Sequence, residues 1–113
     1  MKLPNLDRAE ESRDKVAEYL LNPYHLDGAS KAKFFMALGF ERDDWQALAA
    51  ALKRVATNNE VAKNIASSFG EKFIIDGMIE SPSGKTPVVR TVWIIDAGAD
   101  SARLVTAYPQ VGE

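Results

Sequence analysis

The residues of this chain that could do chemistry are concentrated in residues 22–35, NPYHLDGASKAKFF. This stretch contains the only histidine, His25, and it places a serine and two lysines at the predicted start of a helix. Backbone N–H groups at a helix N-terminus attract anions, and the first turn normally carries Asp or Glu rather than lysine. We therefore predict an anion site of the kind that holds a phosphate. Its residues are His25, Ser30, Lys31 and Lys33.

The same stretch also has a purely structural interpretation. Gly28 can permit a turn, and Ser30 can cap the helix that follows. Asp27 can offset the charge of the lysines, and His25 can hydrogen-bond to a loop carbonyl. Both interpretations use the same residues, so their spacing does not separate them.

Arg90 is a single charge in the otherwise apolar strand pattern VVRTVWII. A buried arginine needs partners. If residues 83–84 centre a hairpin, Gly77 lies opposite Arg90 and leaves room for a guanidinium or a ligand. The alternatives are a structural ion pair with Asp76 or Glu80, or a side chain that reaches a sheet edge.

Thr106 and Tyr108 share one face of the last predicted strand. If the strand register allows it, Thr106, Tyr108 and Arg90 together form a polar patch near the centre of the sheet. Threonine and tyrosine also favour strands for structural reasons, so this signal is weak when taken alone.

Other catalytic and metal-binding motifs are excluded. The run SGKT at residues 83–86 lacks the glycine that a P-loop requires five positions before Gly84. One histidine and no cysteine exclude thiol catalysis and the usual zinc sites. We predict no metal site and no cofactor.

Composition indicates a single domain over residues 1–113, with 46% apolar residues, 27% charged residues and a net charge of −2. This charge does not favour RNA binding and argues against DNA. No apolar run approaches the about 20 residues that a membrane helix needs, and the N-terminus lacks a signal-peptide pattern. We expect a cytoplasmic protein that does not bind membranes.

The periodicity predicts an irregular segment, then helices, then strands. After the irregular residues 1–11, the helical half covers residues 12–56, with helices at 12–21, 30–38 and 43–56. The sheet covers residues 60–109, with strands near 60–67, 71–80, 86–96 and 102–109. Short turns between strands predict an antiparallel meander, so the fold class is α+β, with three helices packed on one face of a four-stranded sheet.

Two apolar faces follow from this arrangement. Val16, Tyr19 and Leu20 share one face of the first helix, which we expect to be buried. The sheet face without helices should carry Ile74, Met78, Trp93 and Ile95. Such a face predicts a homodimer or a small protein partner, unless residues 1–11 fold over it.

Several stretches resemble a known family along nearly the whole chain. They are MKLPN at the start, the pattern H-x-x-G-x-S-K-A-x-F-F-x-x-L-G-F from His25, R-T-V-W-x-I from Arg90, and T-A-Y-P from Thr106. The chain is similar to small bacterial proteins, common in cyanobacteria, that are known as a domain of unknown function. This resemblance implies no established activity.

The order of elements has a weaker resemblance to the RelE, barnase and colicin-nuclease group of ribonuclease toxins. Such enzymes cleave RNA without metal, which would make His25 the base or acid and would place Lys31 and Arg90 on the phosphate. Thr106 and Tyr108 would assist. The chain departs from that group in its slightly acidic charge, since such toxins are usually basic.

Two functional hypotheses follow. A toxin-like endoribonuclease of a toxin–antitoxin type system requires His25, Lys31 and Arg90 to converge on one phosphate. A noncatalytic interaction module, either an antitoxin or an immunity-type partner, predicts that His25 is remote from Arg90. It also predicts that the face around Trp93 is covered by another chain.

Overall fold

The computed structural model describes residues 1–110. Three helices precede the sheet: α1, which begins as an α-helix at Arg13–Lys15 and continues as a π-helix at Val16–Leu20, α2 at Ala29–Ala37, and α3 at Trp45–Asn58. The strands are β1 Lys63–Ser67, β2 Gly70–Met78, β3 Val88–Asp96 and β4 Arg103–Pro109. All neighbours pair antiparallel in the order β1-β2-β3-β4. The predicted α+β class and the four-stranded meander are confirmed.

The helices pack on one face of the sheet, which we call the inner face. Phe73, Ile75 and Ile79 lie on it and are buried, as the alternation along β2 predicted. They belong to the same apolar core as Leu20 of α1 and Phe35 of α2. Within residues 1–110, no helix is long and apolar enough to cross a membrane.

Trp93 and Ile95 also lie on the inner face, so the prediction that they belong to the uncovered face is wrong. Trp93 pairs with Phe73 across β2 and β3 and is fully buried. Its Nε1 donates to Thr91 Oγ1 at 2.9 Å, and Thr91 Oγ1 donates to the Ile75 carbonyl at 2.9 Å. Ile95 lies two residues from Trp93 and packs against the core. Strand parity places both residues inside, because residues two apart share a face.

The predicted pairing of Arg90 with Gly77 is wrong by one residue. Arg90 lies opposite Asp76, and the one-residue shift places Arg90 on the side of the sheet away from Gly77, which shares the inner face with Ile75. A Cβ on Gly77 would come within 2.2 Å of Asn59 Nδ2. That amide donates to a carbonyl in the last turn of α3 at 2.8 Å. Gly77 therefore makes room for the end of α3 and not for a ligand.

Strand β4 contains a β-bulge at Val105, which the pairing with β3 skips. The extra residue changes which side chains face the core on either side of it. Leu104 before the bulge and Ala107 after it are both buried. Thr106 and Tyr108 consequently lie on the opposite side of the sheet, which we call the outer face.

The N-terminal segment joins the core and the edge of β4. Leu3 and Ala9 belong to the buried core. Glu10 forms a parallel bridge with Arg103, and its carbonyl accepts a hydrogen bond from Leu104 N at 2.9 Å. Apart from a 3-10 turn at Leu6–Arg8 and this single bridge, residues 1–11 have no regular secondary structure, in agreement with the prediction.

Glu11 follows this bridge and is half-buried. Its Oε2 is buried without a hydrogen-bond partner in the described residues. Burial raises the pKa of Glu11 from its ordinary 4.5 to about 7, although Lys53 lowers it and Glu10 raises it slightly. The ionised carboxylate is therefore unfavourable in the folded protein.

Glu11→Gln should change the pH dependence of stability. Because the folded-state pKa of Glu11 is raised, its contribution to stability is complete below pH 4.5 and is lost as pH rises through about 7. The variant should therefore be more stable than the wild type at about pH 8, and the difference should shrink at about pH 5. Urea unfolding at both pH values measures this, with exposed Glu41→Gln as the control. A pH-independent difference would contradict the assignment.

Candidate functional site

Tyr19 of α1 is the residue around which the candidate site is arranged. Its hydroxyl lies 3.0 Å from Thr106 Oγ1 on β4. The ammonium groups of Lys15 and Lys31 lie 4.8 and 5.5 Å from the centre of its ring. The His25 ring meets it edge-on, with the ring centroids 5.0 Å apart. The Tyr19 ring thus lies within cation–π distance of two lysine ammonium groups. Its edge-on contact with His25 and its hydroxyl contact with Thr106 bring the other two groups to the same residue.

A π-helical turn positions Tyr19. Leu21 N donates to the Val16 carbonyl at 2.9 Å, which is the i→i+5 bond of this geometry. The wider turn keeps Val16, Ala17 and Leu20 buried while the Tyr19 hydroxyl reaches β4. Such turns are frequent at functional sites.

His25 holds the loop between α1 and α2 with its side chain. Its Nδ1 accepts the backbone N–H groups of Asp27 and Gly28 at 3.0 and 3.1 Å. The loop packs closely on α1, since a Cβ on Gly28 would lie 2.3 Å from the Tyr19 carbonyl oxygen. With Nδ1 as an acceptor, the neutral imidazole carries its proton on Nε2. In this tautomer His25 presents Nε2–H as a hydrogen-bond donor.

Lys31 connects this loop to the outer face of the sheet. Its Nζ donates to the Asp27 carbonyl at 3.4 Å and lies 6.0 Å from the centre of the Tyr108 ring. Tyr108 in turn pairs with Arg90 across β3 and β4. A series of neighbours therefore runs from His25 through Tyr19, Lys31 and Tyr108 to Arg90.

Arg90 is held by Asp76 in a bidentate ion pair. Its Nε and Nη2 donate to the two carboxylate oxygens at 2.8 and 2.9 Å. The hydrogen bond to Asp76 raises the pKa of Arg90 above its ordinary value, and Tyr108 adds to the shift. The structural ion pair considered as an alternative is thus present. This ion pair orients the guanidinium of Arg90 through Nε and Nη2, and the Nη1 group is not part of it.

Ser30 and Lys33, predicted to bind an anion, lie exposed on α2. Ser30 does not cap the helix, because α2 begins at Ala29 with Gly28 at the N-cap position. Lys31 is the residue of this stretch that reaches the Tyr19 cluster. Of the five residues predicted as catalytic, His25, Lys31 and Thr106 lie next to Tyr19. Tyr108 neighbours Lys31, and Arg90 lies beyond it. Ser30 and Lys33 lie on the surface of α2.

An open hollow lies beside Tyr19. Its lining residues are Ser12, Asp14, Lys15, Glu18, Tyr19, His25, Asp27, Val105 and Thr106. The carboxylate of Glu18 is already paired with Arg13 at 3.1 Å and with Arg42. Asp14 and Asp27 are exposed. Within residues 1–110, no group of three or more His, Asp or Glu side chains is arranged to hold a metal ion.

The outer face of the sheet has no helix packed over its β1–β2 side. Met78 is 67% exposed there and pairs with Val88, which is 44% exposed. Ile65 on β1 is also exposed, and Ile74 is half-buried. Of the four residues predicted for this face, Ile74 and Met78 lie on it.

Tyr19 and Lys15 were not identified from the sequence. Tyr19 falls on the apolar face of α1 and was interpreted as a core residue. The available signal was its hydroxyl, because a tyrosine in a buried stripe usually finds a hydrogen-bond partner outside the core. Lys15 carries no such signal, since an exposed-face lysine is ordinary in a helix.

Comparison with known proteins places the chain in a family. The Domain of unknown function DUF6883 matches residues 2–111. The chain belongs to the DUF6883 family. No curated protein matches it. The structure of this chain is similar to that of a chain in a contact-dependent growth inhibition toxin–immunity protein complex from Klebsiella pneumoniae 342. The TM-score is 0.74 and the sequence identity is 21%, and the match covers 95% of this chain and 97% of that chain. This likeness shows a shared fold.

The Tyr19–Thr106 contact can be measured by a double-mutant cycle. Tyr19→Phe and Thr106→Val each remove one hydroxyl, and their effects on the free energy of unfolding should couple by about 0.5–1.5 kcal/mol. Chemical denaturation of the two single variants and the double variant measures this coupling. Tyr19→Phe combined with Thr57→Val is the control, because the Thr57 hydroxyl donates within α3 to Lys53 O. Equal coupling in both cycles would contradict a specific contact.

Proposed function

We propose that this DUF6883 protein is a toxin-like, metal-independent endoribonuclease that acts in the cytoplasm. The observation that carries the proposal is the gathering of Lys15 and Lys31 over the ring of Tyr19, whose hydroxyl contacts Thr106. Tyr108 lies between Lys31 and Arg90. Cations can hold a phosphate and offset the charge that develops on it, while hydroxyls orient the attacking group. A chain of a toxin–immunity protein complex has a similar fold, which is consistent with a toxin-like or an immunity-like role.

The proposed reaction divides among the clustered groups. The 2′-oxygen of a ribose attacks the adjacent phosphorus, the bond to the 5′-oxygen breaks, and a 2′,3′-cyclic phosphate forms. Lys31 and Arg90 hold the phosphate, and Lys31 gives a proton to the leaving 5′-oxygen. A carboxylate of the hollow, from Asp14 or Asp27, accepts the 2′ proton.

In this scheme His25 has a narrower role than base or acid. Its Nδ1 is occupied by two backbone N–H groups, so it contributes the Nε2–H as a donor to a phosphate oxygen. Thr106 and Tyr108 assist, Thr106 through the hydroxyl pair with Tyr19 and Tyr108 by facing both Lys31 and Arg90.

Two observations bear on the interaction module. The module hypothesis expects His25 to be remote from Arg90, and the side chains of Tyr19, Lys31 and Tyr108 lie between them. It also requires an exposed Trp93, and Trp93 is buried in the chain's own core.

Lys31→Met should lower RNA cleavage about 100- to 1,000-fold, because it removes a cation that stabilises the transition-state charge. The measurement is cleavage of total RNA at low salt in the presence of EDTA, since contacts between lysine or arginine and phosphates weaken as the salt concentration rises. Lys85→Met is the matched control, because Lys85 is an exposed lysine in the β2–β3 connection.

Induced expression in a bacterium provides the second measurement. The wild type and Lys85→Met should arrest growth and fragment RNA, whereas Lys31→Met and His25→Ala should not. Normal growth and intact RNA in the wild type, together with no cleavage in vitro, would reject the ribonuclease.

A small protein partner on the outer face is the second candidate. The exposed pair of Met78 and Val88 forms an apolar surface at one end of the outer face. Such a surface suits an immunity-type protein, an antitoxin or a second copy of the chain.

Met78→Glu should weaken this association by burying a charge in the interface. Light scattering after size exclusion measures the mass of the protein alone and with a candidate immunity protein. Met36→Glu is the control, because Met36 is a partly exposed methionine on α2. A monomer that binds no partner, or equal effects of both substitutions, would contradict this use of the face.

A further inference from the structure

The loop of residues 22–28 is held rigidly by its own hydrogen bonds. Asn22 Nδ2 donates to the Glu18 carbonyl at 3.2 Å, and Asn22 Oδ1 accepts Tyr24 N at 3.0 Å. His25 N donates to the Asn22 carbonyl at 3.1 Å, and the His25 ring accepts the next two amide groups described above. Both polar side chains at the start of the loop thus fix its backbone.

This rigid loop exposes two large side chains on either side of His25. Tyr24 is 92% exposed and Leu26 is 96% exposed. At that exposure they contribute little to the core of the chain. Ordered backbone with exposed aromatic and aliphatic side chains is typical of a surface that contacts a ligand.

The loop is directly connected to the proposed phosphate site. Lys31 Nζ donates to the Asp27 carbonyl of the loop, and the His25 ring contacts Tyr19. A nucleotide whose phosphate lies at Lys31 therefore has its base close to this loop. An exposed tyrosine ring is a stacking surface for an unpaired base, and a leucine adds apolar contact.

We propose that Tyr24, supported by Leu26, stacks on an unpaired nucleobase next to the bound phosphate. This inference rests on the proposed ribonuclease function and assigns the loop as the part of the site that selects single-stranded RNA. Bases in a duplex are already stacked on each other and are not available to the tyrosine ring.

The test is binding of a short single-stranded RNA with 2′-fluoro riboses, which cannot be cleaved because it lacks the attacking hydroxyl. Fluorescence anisotropy at low salt gives its dissociation constant for the full chain. Tyr24→Ala should weaken binding by roughly 5- to 100-fold, whereas Tyr24→Phe, which keeps the ring, should bind like the wild type. Neither variant should change binding of a duplex of the same length.

Phe69→Ala is the matched control. Phe69 is 80% exposed in the β1–β2 turn, at the edge of the sheet opposite β4. It should leave the affinity for single-stranded RNA unchanged. Because Tyr24 is almost fully exposed, thermal unfolding of its variants should match that of the wild type, so a loss of binding reports on contact.

The outcomes separate the two proposals. If the wild type cleaves RNA but Tyr24→Ala binds as well as Phe69→Ala, the stacking role is overturned and the ribonuclease stands. If the wild type neither cleaves nor binds RNA, both fail. If Tyr24→Ala instead weakens only a complex with a protein partner, the loop is a protein-docking surface and base stacking is rejected.

Discussion

The β-bulge at Val105 is the constraint on which the candidate site depends. Without the extra residue, Leu104 and Thr106 would lie on the same face of β4. Either Leu104 would then leave the core or the Thr106 hydroxyl would be turned into it. With the extra residue, Leu104 and Ala107 are both buried while Thr106 and Tyr108 face outward. The same end of β4 is where the N-terminal segment pairs with the strand. One local irregularity thus reconciles a continuous core with a polar site at the sheet edge.

His25 illustrates how a single side chain can serve both structure and function. Part of the structural interpretation of residues 22–35 agrees with the structure, since the His25 ring hydrogen-bonds to its loop. Ser30, which was expected to cap α2, does not cap it. The His25 ring accepts two backbone N–H groups where a bond to a carbonyl was expected. That arrangement determines the tautomer, and the tautomer limits which chemistry the ring can perform. The loop held in this way is also the one that supports Lys31 and exposes Tyr24.

Local electrostatics at the site differs from the average of the chain. The protein as a whole is slightly acidic, yet Lys15 and Lys31 are gathered over the ring of Tyr19, with Arg90 beyond Tyr108. Asp76 holds Arg90 in a bidentate ion pair, which orients the guanidinium. The carboxylate also partly neutralises the positive charge of Arg90. The proposed activity accordingly relies on a phosphate held at a defined position and not on a broad basic surface.

The sequence by itself determined the fold class, the order of the elements and the buried face of β2, because these follow from periodicity and turn residues that act locally. It also identified the stretches that carry the site. Strand register and the bulge were decided by tertiary packing: Asn59 fills the space above Gly77, Phe73 pairs with Trp93, and the skipped residue lies in β4. Tyr19 belongs to the site for the same reason, since only the packing of α1 against β4 brings its hydroxyl to Thr106. A shift of one residue in pairing reverses every side chain of a strand, and no local pattern encodes that choice.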